Sequence, residues 1–271
     1  MKTIVKGLFI TLAAAIIYQC EKDYEFKITD ENFLNALIER GVDLNGDSII
    51  SLDEAEIVTY LDISNENISD LTGIEAFVNL DTLICMFNKL THLDVSHNTA
   101  LKLFSCRMSH LTSLNVSNNK VLIGFDCSEN ELKSLNVSND IALKDLICSG
   151  NYLIRLDVSS NTALIHFSCS WNYLTKLDVS NNTALTHLGC SHNQLTNLNI
   201  SSNPSLTSLE CGENQLTSLD ISNNSSLELI GIEEMPSLKK VCVWEVPFPP
   251  AGVTLSMNNS PNVYFTTDCS K

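Results

Sequence analysis

The chain has 271 residues and a formal net charge of -16. Phosphate backbones and anionic headgroups repel a surface of that sign, which argues against nucleic-acid binding and against a basic membrane-docking patch. The sequence also lacks a phosphate-cradling glycine loop, a nucleophile elbow and a helical paired-histidine zinc motif, so its residues point away from an enzyme.

Residues 1–19 read as a secretory signal: Lys2 and Lys6 precede an apolar run, Leu8 to Ile17, too short to span a bilayer. The run ends at Cys20, ahead of polar residues, as at a bacterial lipoprotein cleavage site. The following Glu21-Lys22-Asp23 resembles the lysine–acidic export tag of some Gram-negative surface lipoproteins. Lipidation of Cys20 is therefore expected, with the lipid as the membrane attachment and the outer-membrane surface as the location. Tyr18 and Gln19 are bulkier than the residues usual before a lipidated cysteine, so plain cleavage and secretion is the alternative. Residues 20–27 then form a tether.

A helical cap is expected over residues 28–60. Thr29 or Asp30 can cap a helix running to Arg40, with Phe33, Leu34, Leu37 and Ile38 on one face and Gly41 ending it. The segment from Asp43 to Glu54 then spaces its oxygen donors as an EF-hand calcium loop does, and it resembles one. Asp43, Asn45 and Asp47 alternate toward one cation, Ile49 offers its carbonyl, Ser51 a hydroxyl or water, and Glu54 a bidentate carboxylate. Ser48 stands where that family has glycine for a left-handed backbone, and no second hand follows. Calcium binding is the expectation; a metal-free turn sealing the end of the fold is the alternative.

From residue 61 to 243 the chain repeats. Cys85, Cys106, Cys127, Cys148, Cys169, Cys190 and Cys211 each follow the last by 21 residues, the mark of a solenoid. Each coil holds two phrases, one like Leu185-Thr-His-Leu188-Gly-Cys190 and one like Leu174-Thr-Lys-Leu177-Asp178-Val179-Ser180. Both alternate apolar and polar residues, so the expected fold is a mainly β solenoid with an extended segment on each side of every coil. In-register stacking gives poor facing geometry for disulfides, so the repeated cysteines read as buried, reduced thiols. Two asparagine columns, one beginning at Asn88 and one at Asn98, read as scaffold satisfying backbone groups; Ser109 and Asp140 interrupt them and predict looser coils.

These repeats resemble the internalin leucine-rich repeats, and the cysteine-bearing 21-residue unit resembles those of the internalin J type. The resemblance implies a bacterial surface protein with a binding or adhesive role, although fold similarity does not transfer a partner.

In the last coil Ile232 takes the cysteine slot and Met235 the asparagine slot. Residues 244–271, rich in proline and aromatics, read as an irregular cap that covers the exposed core. In an oxidising compartment Cys242 and Cys269 are expected to staple it.

Beside the cysteine column the outward positions vary. Tyr152, His166, Trp171, Tyr173, His187 and His192 fall on consecutive coils and are the candidate ligand face, since aromatic anchors dominate interfaces. On the other side an Asp/Asn column, from Asp94 to Asp220, is too uniform to offer a partner anything position-specific. The expected role is non-enzymatic binding of a protein or glycan. A structural envelope role, or an accessory role in surface uptake or degradation, is the alternative.

Overall fold

The structure, a computed structural model, describes residues 27–269. The expected signal segment and the Cys20 lipidation site lie outside the described residues. Among these, no helix is long and apolar enough to cross a membrane.

The cysteine phrase of each coil, or its counterpart in the end coils that lack the cysteine, makes a short strand: β1 (Tyr60–Asp62), β2 (Thr82–Ile84), β4 (Leu103–Ser105), β6 (Gly124–Asp126), β7 (Asp145–Ile147), β8 (His166–Ser168), β9 (His187–Gly189), β10 (Ser208–Glu210), β12 (Leu229–Gly231) and β14 (Thr254–Ser256). In that order they form one parallel ten-stranded sheet. Registry is strict: β8 sets His166, Phe167 and Ser168 against His187, Leu188 and Gly189 of β9. Alternation turns the middle residue of each strand inward and its neighbours toward solvent.

The opposite side is less regular. It pairs β3 (His92–Asp94) with β5 (Ser113–Asn115), and β11 (Ser218–Asp220), β13 (Lys240–Cys242) and β15 (Tyr264–Thr266) form a second patch. The outward Asp/Asn column there is bonded mainly within each coil: Asn136, Asp157 and Asp178 each accept the N–H of the serine two residues on.

One continuous core fills the solenoid from Phe33 to Val243. All seven ladder cysteines are free thiols with no exposed surface. Burial pushes the thiols up, Cys148 and Cys190 to about 12, so they stay protonated and pack as small hydrophobes. Where the leucine slot holds phenylalanine, as at Phe104 and Phe125, the rings stack with centroids 5.3 Å apart.

The asparagines hold the turns. Asn172 Nδ2 donates to the carbonyls of Cys148 at 3.0 Å and Cys169 at 3.1 Å, and its Oδ1 accepts from Leu153 N–H at 3.0 Å. Each such amide therefore ties its own turn to the preceding coil. At Ser109 a hydroxyl replaces the amide and reaches only the Cys85 carbonyl at 3.3 Å and that of Arg107 at 3.4 Å. In the second column Asn161 Nδ2 bonds the carbonyls of Val137 and Asp140.

At the N-terminal end, α1 (Glu31–Glu39) starts at Asp30, whose Oδ1 accepts from Asn32 and Phe33 N–H. Its other oxygen accepts from Ser69 N–H, Ser69 Oγ and Asp70 N–H, so one side chain both caps the helix and fastens it to the first repeat. Burial pushes this carboxyl up, but the hydrogen bonds from Ser69, Phe33 and Asp70 outweigh that and hold it below the ordinary range.

At the C-terminal end the chain is irregular after Val243 and then adds β14 and β15. Cys242 is joined to Cys269 with Cα atoms 5.6 Å apart, and Phe248 packs between Trp244 and Phe265. Met235 has no amide to offer in the asparagine slot; Ser260 Oγ supplies the bonds instead, accepting from Met235 N–H at 3.0 Å and donating to the Ile232 carbonyl at 2.6 Å.

Candidate functional site

Two regions hold the candidate residues. The first is the loop between α1 and α2 (Leu52–Glu56). Ser48 takes the left-handed conformation the loop requires, with φ +64°, so the missing glycine costs backbone strain. Asp43 accepts from Gly46 and Ser48 N–H, Asn45 from Asp47 N–H, and Asp47 from Ile49 N–H. Glu54 closes the loop. Its Oε2 accepts from Ser51 N–H and Oγ while Oε1 accepts from Leu44 and Asn45 N–H, and Ser51 Oγ accepts from Glu54 N–H to complete a capping box. Those donors hold its carboxyl down at about 2. Folding energy from this group is therefore present above its unfolded value of 4.5 and is lost as pH falls from there through 2.

The second region is on the cysteine-strand face. The residue two after each cysteine lies in the left-handed region in seven successive coils, from Phe87 to Glu213, with φ between +52° and +67°. Gly150 is the glycine among these positions, and the others carry side chains that this backbone disfavours. The strain turns each of those side chains outward at the rim of the sheet. Trp171 is 61% exposed there. With the indole removed, glycine at position 171 is expected to be more stable than alanine there by about 1–2 kcal/mol. Urea denaturation of Trp171→Gly and Trp171→Ala checks this; the usual order, alanine above glycine, would count against a strained turn.

Four of the six expected face residues meet. The Trp171 and His192 rings stack with centroids 3.4 Å apart, and His192 Nδ1 is held by Glu213 Oε2 at 2.8 Å. Tyr152 and Tyr173 stack beside them at 6.1 Å. Together with Glu129, Gly150 and the buried Asn151 and Asn172, they line a concavity of about 360 Å³. His166 and His187 stand apart as a second pair on the strands themselves, 4.7 Å between centroids, with His166 Nδ1 on Asp145 and His187 Nδ1 on Thr186 Oγ1. Sequence reasoning passed over Glu129, Gly150 and Glu213, although all three share the Trp171 column and the repeat register alone would have placed them there.

Among the described residues, the group of three or more metal-type ligands whose atoms lie within 4.8 Å of one another is Asp220, Cys242 and Cys269, and its two cysteines are the disulfide.

Comparison with known proteins agrees with this architecture. Residues 168–191 and 211–233 match the LVIVD repeat family. Over 70 residues, 26% of the chain, it is 38% identical to Internalin J of Listeria monocytogenes serotype 4b (strain F2365), of which that stretch is 8%. The solved functional domain of InlJ from L. monocytogenes, which includes a cysteine ladder, superposes with a TM-score of 0.65 and 28% identity over 86% of this chain and 60% of that one. Internalin C2 of the same species shares the fold at a TM-score of 0.59 and 17% identity, over 88% and 93% of the two chains. The protein therefore carries an internalin-like leucine-rich-repeat solenoid of the cysteine-ladder type.

Proposed function

We propose that this protein is a non-enzymatic binding protein, lipid-anchored through Cys20 at the bacterial surface, that presents its cysteine-strand face to a protein or glycan in an interaction or adhesion role. The observation carrying this reading is the pre-organised aromatic group: Trp171 pinned by His192, beside the Tyr152–Tyr173 stack, over a rigid parallel sheet. Exposed aromatics held in one geometry lose little freedom on binding, which is what makes such residues anchors. A pull-down with the full chain identifies the ligand, and the Trp171→Ala/Tyr173→Ala double variant is expected to bind it roughly 100-fold more weakly. Unchanged affinity would remove this face from consideration.

We also propose that the loop after α1 holds calcium. Its oxygen donors suit a hard cation: side-chain oxygens of Asp43, Asn45, Asp47 and Ser51, the Ile49 carbonyl, and Glu54. Glu54 is the residue that must change, because all four of its lone-pair directions already accept hydrogen bonds. The ion would tie α1 to α2 within the helical cap and stabilise that end by mass action. Calcium is expected to raise the melting temperature of the wild type and not of Asp43→Ala. Calorimetry without heat, together with identical melting of the two proteins, would reject the site.

A further inference from the structure

The Trp171 column has one gap, at Gly150. His192 covers one face of the indole. In the preceding coil Gly150 puts no side chain against the other, and one coil further on Glu129 bends over the glycine. A Cβ built on Gly150 would lie 3.0 Å from Glu129 Cδ and 3.1–3.2 Å from its carboxylate oxygens. The result is a slot with an aromatic wall, a carboxylate wall and a glycine floor, open at the rim beside Tyr152 and Tyr173.

Resting on the aromatic face as the binding surface, we infer that this slot receives the guanidinium of an arginine on a basic protein segment. A flat cation stacks on the free indole face through its attraction to the ring quadrupole, and its N–H edge meets the Glu129 carboxylate as a fork. An ammonium satisfies the charge but not the plane, and a neutral sugar can donate hydroxyl hydrogen bonds to the carboxylate but brings no charge to offset it. Long-range charge favours the same partner, because the whole chain carries -16 and Glu213 stands behind His192 on the same rim. A volume of about 360 Å³ is at the small end of ligand cavities, enough for a side-chain head and part of its stem. The glycine is what lets Glu129 lean in here: a Cβ at 150 would come within 3.0–3.2 Å of its carboxyl group, and Glu129 would have to give way.

The test uses blocked peptides alternating glycine with arginine, with lysine, or with citrulline, the uncharged isostere of arginine, and a neutral oligosaccharide. Each is titrated into the full chain carrying Trp244→Phe, so that indole fluorescence reports Trp171 alone. The arginine peptide is expected to bind tightest, the lysine peptide more weakly, and the citrulline peptide and sugar least, with affinity falling as salt rises. Glu129→Gln, an exposed substitution whose folding is checked by melting, is expected to weaken the arginine peptide about tenfold. Asp157→Asn/Asp178→Asn on the opposite face removes two charges and is expected to change affinity less than about twofold. Citrulline binding as well as arginine, preference for the sugar, or an opposite-face loss equal to that of Glu129→Gln each overturns the slot. If the Trp171→Ala/Tyr173→Ala variant loses a captured ligand while Glu129→Gln keeps it in full, the face stands and the cation slot falls.

Discussion

Replacing Asp140 with asparagine is expected to stabilise the solenoid by roughly 1–3 kcal/mol near neutral pH and above. Asp140 has no exposed surface, and neither carboxylate oxygen has a protein partner. It stands in the asparagine column, where Asn119 Nδ2 donates to the carbonyls of Val95 and Asn98, and Asn161 Nδ2 to those of Val137 and Asp140. By the same register, position 140 faces the carbonyls of Val116 and Asn119, so an ionised carboxylate sets acceptor against acceptor. Burial pushes this carboxyl up to about 7. Because the folded value lies above the unfolded 3.8, its share of stability is fully present below pH 3.8 and is lost as pH rises through 7. Urea midpoints taken across that range should fall for the wild type and stay flatter for Asp140→Asn. Parallel profiles, or a variant less stable than wild type at high pH, would show that the carboxylate has found other partners.

Asn172→Ala is expected to cost more, roughly 3–5 kcal/mol. The substitution leaves the Leu153 N–H buried without its acceptor, at about 1–3 kcal/mol. It also takes one of two amide donors from each of the Cys148 and Cys169 carbonyls, which keep Asn151 and Asn193, at about 1 kcal/mol for each lost bond. Asn172→Ser should recover part of this, since Ser109 shows that a hydroxyl in this column still reaches one carbonyl of the preceding coil. Asn172 lies between Trp171 and Tyr173, so Trp171 fluorescence is expected to change along with stability. A loss below about 1 kcal/mol in chemical denaturation would mean that the backbone finds other partners and the column is not what holds the turn.

Both predictions follow from a feature readable in the sequence and a consequence that was not. The asparagine columns are visible as spacing, and the substitutions at Ser109 and Asp140 stand out against them. That a hydroxyl partly serves at position 109 while a carboxylate does not at 140 depends on which atoms point at each position. The same division holds at the ends of the chain. Residues 29–54 announce a helix and an oxygen-rich loop, yet Asp30 binding both α1 and Ser69 depends on a contact between residues 39 apart in sequence. Ser260 standing in for the asparagine missing at Met235 is likewise a long-range substitution, across 25 residues.

Sequence alone determined the coil, its inward residues and the side of the sheet on which each outward residue falls. A strict 21-residue period leaves the chain little choice: each leucine and cysteine is buried only if every coil stacks on the last. Tertiary structure decided which outward residues act together. His166 and His187 share the cysteine-strand face with Trp171 but pair with each other and with Asp145, because strand positions and rim positions are displaced along each coil. Gly150 reads in the sequence as one more repeat residue. Only the stacked coils turn its missing side chain into a slot between Trp171 and Glu129, since an absence has a shape only when its neighbours are in place.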